Sequence, residues 1–169
     1  MRTMSVRDII LTVLLTFIAI GQIVLAILLY ADQANEVVRN TGWGILLLSA
    51  IFGWLPVLTL KRWGGVAKGK SYVHTTQVVD RGIYSIVRHP QYLAGILIGL
   101  ALALIAQHWI VGVLGVAAIA IYYVNTFDEE RRALEKLGDE YSRYMQLVPR
   151  LNFLRGIVRT ARRRSANPE

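Results

Sequence analysis

Four stretches of the chain are almost free of polar side chains, at about 9–30, 42–60, 91–106 and 109–127. Long, nearly uncharged apolar runs read as membrane spans. The first is nearly all Leu, Ile, Val, Ala and Thr, interrupted by Gly21-Gln22. The second carries Trp43 and Trp54, with Trp63 just beyond it, as interfacial aromatic belts do. Pro56 is expected to kink it, which neighbouring helices make tolerable. Only Gln107-His108 separates the third run from the fourth, and His108 reads as a turn residue. These two runs are short. They form either two short spans or a helical hairpin that enters and returns, with both ends on one side in each case.

The polar segments complete the pattern. Residues 61–90 form a long loop, and loops of that length are often functional. The tail, 128–169, begins as an amphipathic helix, with Leu134, Leu137, Tyr141 and Tyr144 at helical spacing. Its end, 155–164, is strongly basic and is expected to fray or to lie on anionic headgroups. The fold expected is a single all-α integral membrane domain over 1–169, with about four transmembrane helices and a C-terminal amphipathic helix. The first apolar run is too long for the core of a cleavable signal. No internal repeat is present, which argues against an inverted-repeat transporter.

Lys and Arg set the orientation. Two precede the first span, six lie in the long loop and ten in the tail, so eighteen of the nineteen fall on one side. The positive-inside rule therefore puts both termini, the loop and the tail in the cytoplasm, with the chain in the cell (inner) membrane. The net charge of +8 is accounted for by topology and by anionic lipid at the tail, and no nucleic-acid partner is expected. The absence of cysteine removes disulfides, thiolate metal sites and cysteine nucleophiles. No His or carboxylate spacing reads as a metal site.

Two cytoplasmic segments carry candidate chemistry. The first, 79–95, puts Tyr84, Arg88, His89 and Tyr92 at the mouth of a helix that Pro90 is suited to start. The free N–H groups of such a first turn favour an anion. Taken on the residues alone, a plainer reading is favoured: Arg88 snorkels, His89 caps a loop and the tyrosines anchor at the interface. Gly95, Gly99 and Ala103 recur every fourth residue, a spacing that admits a packed helix or a ligand. The second segment is Asp128-Glu129-Glu130-Arg131-Arg132, at a membrane exit. Its acids suit a cationic or hydroxyl-rich ligand, or simply the start of a solvated helix. His74 lies in the long loop with its role open.

Gly82-x-Tyr84-x3-Arg88-His89-Pro90-x-Tyr92-x2-Gly95, Glu129-Glu130-x3-Leu134 and Gly138-x2-Tyr141-x2-Tyr144-x3-Val148-Pro149 occur in that order. Together they resemble the isoprenylcysteine carboxyl methyltransferases, a superfamily that also includes phospholipid N-methyltransferases. The resemblance spans roughly 72–152 and suggests a small prokaryotic member. It implies S-adenosylmethionine bound at the cytoplasmic face, S-adenosylhomocysteine as product, and a lipophilic acceptor entering from the bilayer. Cofactor contacts are then expected from His74, Tyr84, Arg88, His89, Pro90, Tyr92, Leu93, Gly95, Glu129 and Glu130, the acids meeting ribose hydroxyls or the ammonium. Arg88, Asn125 and Glu129 are the candidate catalytic residues. One departure bears on the acceptor. The eukaryotic carboxyl methyltransferases carry an arginine shortly before the acidic pair, whereas 122–127 has none, leaving Arg131 or Arg132 to stand in. The favoured reading is isoprenylcysteine-type O-methylation. Phospholipid N-methylation of a phosphatidylethanolamine type is the alternative, and a non-enzymatic scaffold or lipid-binding protein is the alternative of another class.

Overall fold

The computed structural model describes residues 6–30, 35–65 and 75–166. The described chain is helical, with α1 Val6–Leu28, α2 Glu36–Trp63, a 3-10 segment Gly82–Ser85, α3 Pro90–Ala106, α4 Trp109–Leu147 and α5 Phe153–Ala166. Among the described residues there is no strand. Three helices, α1, α2 and α4, are long and apolar enough to cross a membrane; α3 is equally apolar but has 17 residues.

The residues group into two compact units: Met1–Ala50 with Ala94–Asn125, and Ile51–Leu93 with Thr126–Glu169. In the first, Gln22 is buried in the C-terminal half of α1 and donates its amide to the carbonyls of Gly99 (2.8 Å) and Val111 (3.2 Å). A polar side chain in an apolar bundle is held by such interhelical bonds. Gly99 and Gly115 let α3 and α4 close on each other, since a Cβ on Gly115 would sit 2.9 Å from the Gly99 carbonyl. Gly95 is covered in the same way by the ring of Tyr122. The small-residue spacing in α3 thus serves packing at both glycines. Around this core Phe17, Ile27, Leu47 and Val116 are exposed. Large apolar side chains pointing outward suit lipid as the surrounding solvent.

The break at Gln107-His108 has a local cause. Gln107 takes a positive φ of 49° and its side chain exchanges two hydrogen bonds with the backbone of Asn35 (2.8 and 3.1 Å). His108 then caps α4, its Nδ1 accepting from the Ile110 N–H at 3.3 Å. Its expected place in a turn holds. Asn35 in turn accepts from the Val38 N–H at 3.1 Å, which starts α2 at Glu36, six residues before its apolar run. α2 then continues as one helix through Pro56 to Trp63.

In the second unit α4 does not stop where its apolar run ends. It continues through the charged residues to Leu147, broken by non-helical dihedrals at Gly138 (φ 55°, ψ −134°). Only glycine adopts such a conformation at small cost. The stretch before that break, from Trp109 to Leu137, is about 43 Å long, already longer than the apolar thickness of a bilayer. Tyr141, Tyr144 and Val148 form a buried cluster with Val78, Leu134 and Leu137 around them, and Tyr144 Oη donates to the Tyr84 carbonyl at 2.7 Å.

The basic end corrects the expectation that it frays, because 153–166 is helical. Asn152 Oδ1 caps it by accepting from the Arg155 N–H at 2.9 Å. One face packs on the segment that follows the 3-10 turn. Arg159 and Thr160 donate to the Ser85 carbonyl, Gly156 lies against the Ile86 carbonyl, and the rings of Phe153 and Phe52 meet edge to face at 5.3 Å. A Cβ on Gly156 would collide with that backbone oxygen, which cannot swing aside. Helix propensity alone makes Gly156→Ala stabilising by about 1 kcal/mol. The close approach reverses the sign, and a net loss of about 2 kcal/mol is expected. Thermal unfolding of the variant in detergent reads the sign directly.

Candidate active site

Helix α3 starts at Pro90, which is fully buried, and the His89 carbonyl accepts the first helical bond from the Leu93 N–H at 3.0 Å. The two residues before Pro90 are fixed by a backbone pairing with the end of α4. Arg88 N–H donates to the Pro149 carbonyl (3.0 Å) and His89 N–H to the Arg150 carbonyl (3.2 Å). That pairing brings Arg88, His89 and Arg150 around one carboxylate, Glu130.

Glu130 is 3% exposed. Its Oε1 lies 3.0 Å from His89 Nε2, 3.0 Å from Arg150 Nε and 3.2 Å from Arg88 Nη1, and its Oε2 accepts from Arg150 Nη2. Burial works against its charge. The hydrogen bonds from His89 and Arg150 and the nearby Arg88 charge outweigh it and hold its pKa down to about 2. Arg88 Nε is buried with no hydrogen-bond partner among the described residues. Buried donors of this kind are costly unless an acceptor reaches them. Arg150 also stacks on the Phe127 ring, 3.7 Å from its centroid.

Beside the cluster lies a cavity of about 450 Å³, walled by Tyr84, Arg88, His89, Glu129, Tyr141 and Tyr144, with Arg132 and Lys136 at its edge. That volume is in the range of small-molecule and cofactor sites. Burial raises the phenol pKa of Tyr141 and of Tyr144, so both rings remain neutral donors. Glu129 is hydrogen-bonded to Tyr92, whose ring meets that of His89 edge to face at 5.6 Å. Arg131 pairs with Asp128 at 3.0 Å and is largely exposed, so Arg132 is the arginine of this pair that reaches the cavity.

Of the residues singled out from sequence, Tyr84, Arg88, His89 and Glu129 share the cavity wall. Glu130 is not in that wall; its carboxylate is engaged by the cations behind it. Pro90 and Leu93 are buried in the first turn of α3, Gly95 lies under Tyr122, and Asn125 is half-buried in the other unit. His74 lies outside the described residues. Sequence reasoning missed Arg150, did not count Tyr141, Tyr144 or Lys136 as site residues, and named Arg132 only with Arg131 as a stand-in for the acceptor's arginine. The Val148-Pro149 motif directly before Arg150 was the available signal.

Three helices long and apolar enough to cross a membrane, and a cofactor-sized cavity with a charged wall within the second unit, are the features of a membrane enzyme. The chain belongs to the phospholipid methyltransferase family, whose sequence profile matches residues 38–139. This makes it a membrane methyltransferase. The matched segment contains Arg88, His89, Glu129 and Glu130 and ends before Tyr141 and Arg150. No curated protein and no solved structure matches the chain.

Proposed function

We propose that the protein transfers a methyl group from S-adenosylmethionine to a lipophilic acceptor at the cytoplasmic face of the cell (inner) membrane, with four helices spanning and both termini inside. The observation that carries this is the cavity beside the Glu130 cluster. The unpaired Arg88 Nε on its wall suits the cofactor carboxylate, Glu129 suits an ammonium or a ribose diol, and Tyr84 and Tyr141 supply aromatic faces for a sulfonium or a base. When bound, the cofactor supplies a methyl group already activated on sulfur. The protein's own part is to hold the reactants in line and keep water out.

Among acceptors, a phospholipid amine is favoured by the Glu129–Tyr92 pair, because an amine must give up a proton and a carboxylate at this wall can take it. The isoprenylcysteine-type carboxyl reading is supported by Arg132 and Lys136 on the same cavity, which suit an acceptor carboxylate. Calorimetric titration of S-adenosylhomocysteine into the detergent-purified protein is expected to show binding at about micromolar Kd, near −8 kcal/mol. Labelled-methyl assays with phosphatidylethanolamine and with a prenylated cysteine then separate the two acceptors. No binding to folded protein, in detergent and again in nanodiscs, would remove the enzyme reading.

A further inference from the structure

The packed face of α5 leaves its other faces open. Leu154, Ile157 and Val158 are exposed along one stripe, and Arg155, Arg159, Arg162 and Arg163 run beside it. Leu154, Val158 and the four arginines line one groove of about 690 Å³, which contains no acidic residue. Asp80 and Glu140 lie with Arg143 in a separate hollow on the other side of Arg159 and Arg163. Arg159 Nη2 is engaged by the Ser85 carbonyl, but its Nε and Nη1 are buried without a hydrogen-bond partner among the described residues. Burial and the neighbouring Arg163 also press the Arg159 pKa downward, a strain that an anion between the two relieves.

We infer that this groove binds the headgroup of an anionic phospholipid, separate from the methyl-transfer cavity. The guanidiniums take the phosphate, for which planar forked donors are suited. Leu154 and Val158 take the start of an acyl chain, which a free phosphate has no use for. Seating a lipid here holds α5 against Ser85 and Ile86, and therefore steadies the backbone just before Arg88 and His89.

The test is retention of lipid by the full chain, released from nanodiscs and weighed by native mass spectrometry. It needs no turnover, so its failure is distinct from failure of the methyltransferase reading. Wild type is expected to retain phosphatidylglycerol in preference to phosphatidylcholine. Arg155 and Arg162 are exposed and outside the packed face, so Arg155→Gln/Arg162→Gln keeps the fold, checked by its melting temperature. At about fivefold per basic residue near an anionic surface, the double variant should lose retention roughly 25-fold. Leu154→Ser/Val158→Ser should weaken it as well, and glycerol 3-phosphate should not compete. Equal retention by wild type and the arginine variant, no preference over phosphatidylcholine, or full displacement by glycerol 3-phosphate at equal concentration would each overturn the proposal.

Discussion

Replacing Glu130 with alanine should destabilise the protein by about 3–5 kcal/mol, the cost of leaving buried charges without their partner. Arg88, Arg150 and His89 would then lose the one carboxylate that all three share. At about 2–4 °C per kcal/mol for a chain of this size, the melting temperature should fall by roughly 6–20 °C. Glu130→Gln keeps the shape but not the charge, and should fall between wild type and alanine. Both variants should also lose binding of S-adenosylhomocysteine, because Arg88 and His89 are aimed by this carboxylate rather than by each other.

The same cluster predicts a pH dependence. Glu130 has its folded pKa at about 2, below the ordinary 4.5. A depressed carboxyl stabilises the fold above its unfolded pKa and loses that contribution as pH falls through the folded value. The contribution is therefore complete above about pH 5 and declines from pH 4.5 towards 2. At about 1.4 kcal/mol per pH unit it amounts to roughly 3 kcal/mol, in line with the mutational figure. Unfolding followed from pH 7 to pH 3 should steepen in wild type below pH 4.5, and that component should be missing in Glu130→Gln. A matching slope in both proteins would assign acid sensitivity to other carboxylates.

The parts legible in sequence were those whose cause is local. Continuous apolar runs located the helices, Pro90 marked the start of α3, and Gln107-His108 marked the break after it. The helical tail read from 128 onward is not a separate element but the continuation of α4. An apolar run ends where solvent changes, whereas Glu, Arg, Leu and Lys continue a helix readily in water, so α4 passes its apolar boundary by about five turns, until Leu147. α5 was hidden by its charge: its stability comes from Asn152 and from contacts with residues 85–86, which no periodicity reveals. Arg150 escaped for a related reason. It reaches Glu130 through the backbone pairing of 88–89 with 149–150, a contact 61 residues apart in the chain. The acidic pair was read as a unit, yet adjacent helical residues point about 100° apart. Glu130 therefore faces the cations while Glu129 faces the cavity.

That divergence gives Glu129 a separate prediction. If the acceptor is an amine, Glu129→Gln should lower kcat by about 10²–10⁴-fold, the usual contribution of a positioned base. It should leave the melting temperature near that of wild type, since Glu129 is half-buried on the wall and does not hold the cation cluster. The pH profile carries the decisive detail. A carboxylate that accepts a proton from the attacking nitrogen makes turnover fall at acid pH, and the variant should lose that limb. Raising pH should partly rescue the variant, by supplying more of the amine already free of its proton. A carboxylate acceptor needs no base, so on that reading Glu129→Gln changes KM more than kcat and the pH profile keeps its shape. Tyr92→Phe, which removes the hydroxyl hydrogen-bonded to Glu129, should follow Glu129→Gln in direction with a smaller loss. Equal kcat in wild type and Glu129→Gln on phosphatidylethanolamine would remove the base from the mechanism and move the carboxyl reading, with Arg132 as the acceptor's partner, to the front.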